Sequence, residues 1–278
     1  MTAIPRTVLA VSLLATAWAS ASAQSAFSTG LDATFPPMSM SKLGGGVEGY
    51  FVDVSQEVAR RMGRKLNVEV SSFSGLIPGL ASGKYDWLAP TVATRERAAN
   101  LLFTEGFVNT DYQFLVKKSD PEITALEQLK GKRVAINKGS IFDKWCAENS
   151  ARYGLGCDVY DSVADAIQAV LSGRANAALA NDFAVKWAGK QNPLVKPALL
   201  IKTGQVFAIS TRKTEVALRD QLSMTIKCMK QDGTLAKLHE KWLGVPPAAD
   251  SVIRSIDAGH GVSGLEGYDA RPVSLQCS

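Results

Sequence analysis

Apolar positions along the chain alternate between helical and strand spacing. Phe51, Val54, Val58 and Met62 recur at the helical period, and Gly63 stands where a glycine in the left-handed conformation ends a helix. Leu66, Val68 and Val70 then alternate as in a strand. A short helix follows over Ile77–Ser82, with Gly83 as its stop, and a strand over Tyr85–Ala89. Upstream, Leu31-Asp32-Ala33-Thr34-Phe35-Pro36-Pro37 reads as a strand end entering a proline-fixed loop, and Gly44-Gly45-Gly46 as a hairpin turn. Strand and helix exchanging in this order predict an α/β fold.

The helix-to-strand passage occurs twice, 90 residues apart. Ile77 to Asp86 and Ile167 to Asn176 both give helix, Ser-Gly stop, basic residue and strand. The echo is short enough to arise from a common helix-to-strand connection, but two similar lobes explain it better. Each copy runs into polar residues beyond its strand, Thr91 in the first and Asn181-Asp182 in the second, and open α/β sheets bind ligands outside the carboxyl ends of their strands.

The N-terminus changes the setting of this fold. Arg6, the apolar run Val8–Ala19 and the small-residue site Ala21-Ser22-Ala23 have the form of a secretory signal, so residues 1–23 are expected to be removed and the chain to work in the periplasm. No later stretch approaches the roughly 18 uncharged apolar residues of a membrane span. The net charge of +5 becomes +4 without Arg6, and no basic run with interleaved aromatics suggests nucleic acid as a partner. Four cysteines in an oxidising compartment allow three pairings. Cys146–Cys157, closing a local loop, and Cys228–Cys277, tying the tail to a helix, are the expected two. The chain's histidines, His239 and His260, and the lack of a C-x-x-C pair argue against a structural metal, and no cofactor is expected.

Two segments carry candidate chemistry. Thr94-Arg95-Glu96-Arg97 reads as a helix opening with Thr94 as its cap, which puts the Arg97 guanidinium where the helix itself prefers an anion. A solute carboxylate would relieve that conflict and be held bidentately. Pairing of Arg97 with a surface acid is the plainer reading. Asn137-Lys138-Gly139-Ser140 joins a strand to a helix, and Ser140 either caps that helix or binds. No G-x-S-x-G elbow, H-E-x-x-H motif or Cys/His nucleophile pair supports catalysis, and His239, on an amphipathic terminal helix, reads as structural. Gly44, Gly46 and Gly49 match the dinucleotide spacing but lack the strand before and helix after that it requires.

Taken together, Asp32-Ala-Thr-Phe35-Pro-Pro, Gly49-Tyr-Phe-Val-Asp53, Phe73 to Asp86, Thr94-Arg-Glu-Arg97, Leu129 to Val134 and Asp232 to Gly244 resemble the periplasmic solute-binding proteins for polar amino acids, the receptors of ABC importers. The resemblance runs over about residues 28 to 244. It implies a two-lobed periplasmic binding protein (type 2) with a discontinuous first lobe: residues 24–114, then a second lobe over 115–208, a return over 209–244 and an extension over 245–278. Crossings are expected near Tyr112–Lys117 and Val206–Ser210, acting as a hinge. The implied partners are an amino acid or related small carboxylate and an inner-membrane permease, with the receptor itself a monomer. Asp32 falls in the first motif, Phe35 and Phe73 take the positions of pocket walls, Arg97 that of the carboxylate-binding arginine and Ser140 that of a second carboxylate ligand. Two positions depart from the pattern. Val92 stands where the family has a hydroxyl, with Thr91 as its expected substitute. Asn181 stands where the family has an ammonium-binding aspartate, with the neighbouring Asp182 expected to supply the charge.

Two other functions fit this scaffold. One is an enzyme resembling cyclohexadienyl dehydratases, which would need an acid in the cleft, with Glu105 or Asp182 as candidates. The other is a periplasmic partner of a dehydrogenase or sensor. The extension beyond Gly244 implies no function of its own.

Overall fold

The computed structural model describes residues 25–277; the expected signal segment, 1–23, lies outside them. The chain opens with β1 (Phe27–Leu31), a small antiparallel sheet of β2 (Thr34–Phe35), β3 (Ser39–Ser41) and β4 (Val47–Glu48), then α1 (Tyr50–Arg61), β5 (Leu66–Val70), α2 (Phe73–Ala81), β6 (Trp87–Val92), α3 (Arg95–Ala98) and β7 (Leu101–Phe103). A long strand β8 (Val108–Lys117) leads to β9 (Arg133–Asn137), α4 (Ile141–Tyr153), β10 (Gly156–Tyr160), α5 (Val163–Ser172), β11 (Ala177–Asn181) and α6 (Asp182–Gln191). The longest strand, β12 (Val195–Arg212), brings the chain back to α7 (Val216–Gln231) and α8 (Thr234–Leu243).

Sheet order explains the two halves. The main sheet runs β10-β9-β11-β8-β12-β6-β1-β5, with β7 also paired to β12. The outer strands form two parallel triplets, β10-β9-β11 and β6-β1-β5. Between them, β8 and β12 run antiparallel to each other and to the triplets they border. Within β8, Tyr112–Val116 lies against β11, and within β12 Phe207, Ala208 and Ser210 lie against β6. The chain therefore passes between halves only along these two adjacent strands.

The hydrophobic pattern placed α1, β5 and the Gly44–Gly46 hairpin where they stand. The repeated passage is equally visible: Gly83 and Gly173 end α2 and α5 at φ 82° and 79°, and β6 and β11 follow. Two elements are displaced. The helix begins at Phe73 rather than Ile77, because Ser72 turns the chain ahead of it and Pro78 sits inside, and the strand runs Trp87–Val92, two to three residues later than alternation suggested. All six β6 residues are buried, so that strand lacks the alternating signal. Both disulfides form as expected, Cys146–Cys157 with Cα atoms 6.1 Å apart and Cys228–Cys277 at 5.4 Å. Among the described residues no helix is long and apolar enough to cross a membrane.

The extension beyond Gly244 wraps the half that carries α7 and α8. Ile253 is buried in the main core, and Val262 and Leu265 pack against a cluster containing Leu101 and Phe103. Glu105, fully buried, accepts from the Lys227 and Lys230 ammonium groups on α7 and from the Asp257 N–H. The same lysines donate to the carbonyls of Asp257 and Ser255, so one ionic knot fastens the extension. At the crossing, the Asn109 Oδ1 accepts from Ser251 Oγ and from the Val252 N–H.

Candidate functional site

Strand carboxyl ends from both halves converge on a cleft with a cavity of about 50 Å³. Asp32 directly follows β1, and Phe35 ends β2; β6 delivers Val92 and, through α3, Arg97; α2 opens with Phe73. From the other half come Asn137 at the end of β9, Ser140 at the start of α4 and Asn181 at the end of β11. Seven of the nine residues named from sequence line this one cleft: Asp32, Phe35, Phe73, Val92, Arg97, Ser140 and Asn181.

Arg97 is its electrostatic centre. Thr94 Oγ1 accepts the Arg97 N–H and so starts α3, but α3 has only four residues, too short for the helix end to attract an anion as expected. The guanidinium carries that role alone. Its Nη1 donates to the Val92 carbonyl at 3.2 Å, its Cζ lies 5.4 Å from the centre of the Phe73 ring, and it makes no salt bridge among the described residues. The surface-acid reading therefore fails, because neighbouring Glu96 pairs instead with Lys144. Burial pulls the Arg97 guanidinium down to about 10, an unusual value for a group that stays charged in proteins.

Ser140 belongs to the cleft yet its hydroxyl is engaged. It donates to the Asn137 carbonyl at 2.6 Å and accepts the N–H groups of Phe142 and Asp143, so capping occupies it. Asp32 uses Oδ1 to accept from the Thr34 N–H and Oγ1, bracing the loop that presents Phe35. The Phe35 ring packs 6.1 Å from Phe51 and 6.3 Å from Phe207.

Two expectations are overturned by strand geometry. Thr91 does not replace the missing hydroxyl at Val92: successive strand residues face opposite sides, and its Oγ1 lies 2.9 Å from Ser210 Oγ in the core. Asp182 does not supply the charge at Asn181. It starts α6 facing away, where its carboxylate accepts from the Asp111 N–H and from Lys186 and lines a separate 780 Å³ groove that shares no residue with the cleft. Asn181 faces the cleft instead, its Nδ2 2.6 Å from Thr110 Oγ1. Glu105 is likewise remote, locked in the ionic knot.

Sequence reasoning missed Phe142, Val163 and Phe207, apolar wall residues without a motif, and passed over Asn137 although it adjoins Ser140. Its position as the last residue of β9 was the available signal. Across the mouth the halves touch: Glu96 on α3 pairs with Lys144 on α4, and a side chain at Gly139 would meet Ser74 at 3.4 Å. The vestibule there is lined by Thr94, Tyr112, Trp145 and Gln205.

Paired α/β halves sharing two strands, with an unpaired guanidinium between them, define a two-lobed cleft protein. The match to known sequences makes that more particular. The chain belongs to the bacterial extracellular solute-binding proteins, family 3, whose model covers residues 27–245. It is 28% identical over 232 residues to the L-cystine-binding protein TcyA of Bacillus subtilis (strain 168), covering 82% of this chain and 84% of that one. Among solved structures it resembles an ancestral arginine-binding protein bound to arginine, with a TM-score of 0.77, 30% identity and coverage of 80% and 100%. It also resembles an ancestral amino acid-binding protein described as a precursor of cyclohexadienyl dehydratase, with a TM-score of 0.72, 27% identity and coverage of 78% and 95%.

Proposed function

We propose that this chain is a secreted, non-catalytic receptor that captures a small carboxylate-bearing solute, an amino acid or a relative, and presents it to the permease of an ABC importer. The observation that carries the reading is the half-buried Arg97 guanidinium, which faces the cleft without a carboxylate partner among the described residues. A desolvated cation is costly unless paired, so the site favours an anion. The relatives named for cystine and arginine binding support the same class.

The chain passes between the two lobes along β8 and β12, and we place the hinge there at Asn109–Asp111 and Thr203–Val206, just ahead of the segments committed to β11 and β6. A solute touching both walls selects the closed arrangement, the form a permease would read. The resemblance to a dehydratase precursor keeps an enzymatic reading in view. Against it, neither Glu105 nor Asp182 reaches the cleft, and Asp32 is the one carboxylate among its lining residues.

Calorimetry and small-angle scattering on the purified chain test the proposal together. A carboxylate solute should bind, the radius of gyration should fall on binding, and the solute should be recovered chemically unchanged. Turnover of the bound solute would overturn the receptor reading in favour of the enzyme.

A further inference from the structure

The charges of the cleft are divided unevenly between its walls. On the first wall stand Arg97 and Asp32. On the second, the polar lining residues are Asn137, Ser140 and Asn181, and none carries a charge. Asn137 donates its Nδ2 to the Asp161 carbonyl at 3.0 Å, and the Ser140 hydroxyl is engaged in capping α4. Asn181 ends β11 without capping α6, leaving one edge of its amide on Thr110 and the other free for the cavity. Turned either way, an amide offers an acceptor or a donor but no counter-charge. The nearest acid in sequence, Asp182, is engaged on the far side by Lys186 and Asp111. At the mouth, Glu96 and Glu148 lie within reach of Lys144, and Asp143 accepts the Gly139 N–H.

A solute carboxylate seated on Arg97 holds its 2-substituent within a few ångströms of that seat, so the substituent is desolvated together with it. An ammonium presented to the second wall would be buried opposite neutral amides, whereas a hydroxyl can donate to an amide oxygen and an oxo group can accept from an amide N–H. Burying an unpaired ammonium is far costlier than burying a hydrogen-bonded neutral group. Of the remaining lining, Ser39 is neutral and donates its hydroxyl to the Asp32 carbonyl, and the other residues, Phe35, Phe73, Phe142, Val163 and Phe207 among them, are apolar, so none adds a charge.

We propose that the solute is a small carboxylate whose group facing the second lobe is uncharged, a 2-hydroxy or 2-oxo acid rather than a 2-amino acid, with Asn181 as the residue that sets this preference. The inference rests on the carboxylate-receptor reading and narrows it. Asp32 remains able to receive a donor at the first wall through its second oxygen, which suits a distal hydroxyl.

Matched sets decide it: alanine, lactate and pyruvate, then phenylalanine, phenyllactate and phenylpyruvate, titrated calorimetrically into the wild-type chain and into Asn181→Asp. Native mass spectrometry of the freshly purified wild type identifies any retained solute. The expected result is that hydroxy or oxo acids bind wild type at least about tenfold tighter than their amino partners, and that Asn181→Asp narrows or reverses the order. Tighter binding of the amino acids by wild type, or a retained solute bearing a 2-ammonium, would overturn the inference while leaving the receptor reading intact. Binding of neither class, with no solute retained, would remove both.

Discussion

At the scale of single residues, Arg97 combines two properties that pull against each other. Its partial burial without a counter-ion among the described residues weakens the unliganded fold, and the same partial desolvation makes it an effective seat for an anion. Two substitutions separate these effects. Arg97→Lys keeps the charge but loses the planar fork, and solute binding should weaken by about 1.5–3 kcal/mol, read by calorimetry. Arg97→Met should abolish binding yet raise the stability of the free protein by about 1 kcal/mol or more, read as a higher denaturant midpoint. A midpoint below wild type in the methionine variant would mean that the guanidinium is already compensated. The cation in the first turn of the helix that Thr94 caps marked Arg97, and strand ends marked Ser140 and Asn181. The choice between Asn181 and Asp182 stayed out of reach because it turns on which residue closes β11 and which opens α6, a boundary no composition encodes.

Among the elements, the extension after α8 acts as a strap whose strength lies in buried charge. Glu105 holds two lysines of α7 and one N–H of the strap, and burial lowers the affinity of Lys230 for its proton while the Glu105 carboxylate partly restores it. Glu105→Gln leaves two buried ammonium groups without a counter-charge and should destabilise the fold by about 3–5 kcal/mol, measured by urea unfolding, with solute selectivity unchanged. A stability close to wild type would show that water already reaches the knot. Two buried histidines bound the same region. His239 sits on α8 with its Nδ1 2.8 Å from the Val245 carbonyl, and His260 pairs by its backbone with Asp269. Burial is the main cause holding both imidazoles below their ordinary 6.5. Below pH 6.5 the unfolded chain takes up protons that the folded chain resists, so stability should be complete above that value and decline as pH falls through it. Melting temperatures at pH 7.5 and 5.5 will check the decline, and the double variant His239→Gln/His260→Gln should flatten it.

For the molecule as a whole, most of the architecture could be read from period and punctuation. Gly63, Gly83 and Gly173 close helices where left-handed backbone is needed, and the duplicated passage at Ile77 and Ile167 announced two similar halves. The strap and its ionic knot could not be read, since Glu105, Lys227 and Asp257 are distant in sequence and carry no local pattern. The crossings expected from the resemblance, Tyr112–Lys117 and Val206–Ser210, fall mostly on segments paired to β11 and β6, because residues within one long strand look alike whichever half they serve.

The place of β12 between β8 and β6 also sets an order of assembly. Val92 of β6 waits for Phe207, and Val108 of β8 for the same residue, so the centre of the sheet stays open until the chain has been delivered beyond β12. The triplet β10-β9-β11, by contrast, is drawn from one continuous stretch and needs no distant partner to zip together. Contacts that close long loops form late, since loop entropy must be met before they reward the chain. A refolding experiment with pulsed hydrogen exchange should therefore find the amides of β9 and β11 protected before those of β6. Simultaneous protection would instead mark a nucleus built from both halves at once. Because synthesis delivers the chain N-terminus first, that order leaves the early-arriving β1 and β6 exposed longest, and makes the interval before β12 emerges the time of greatest risk of aggregation.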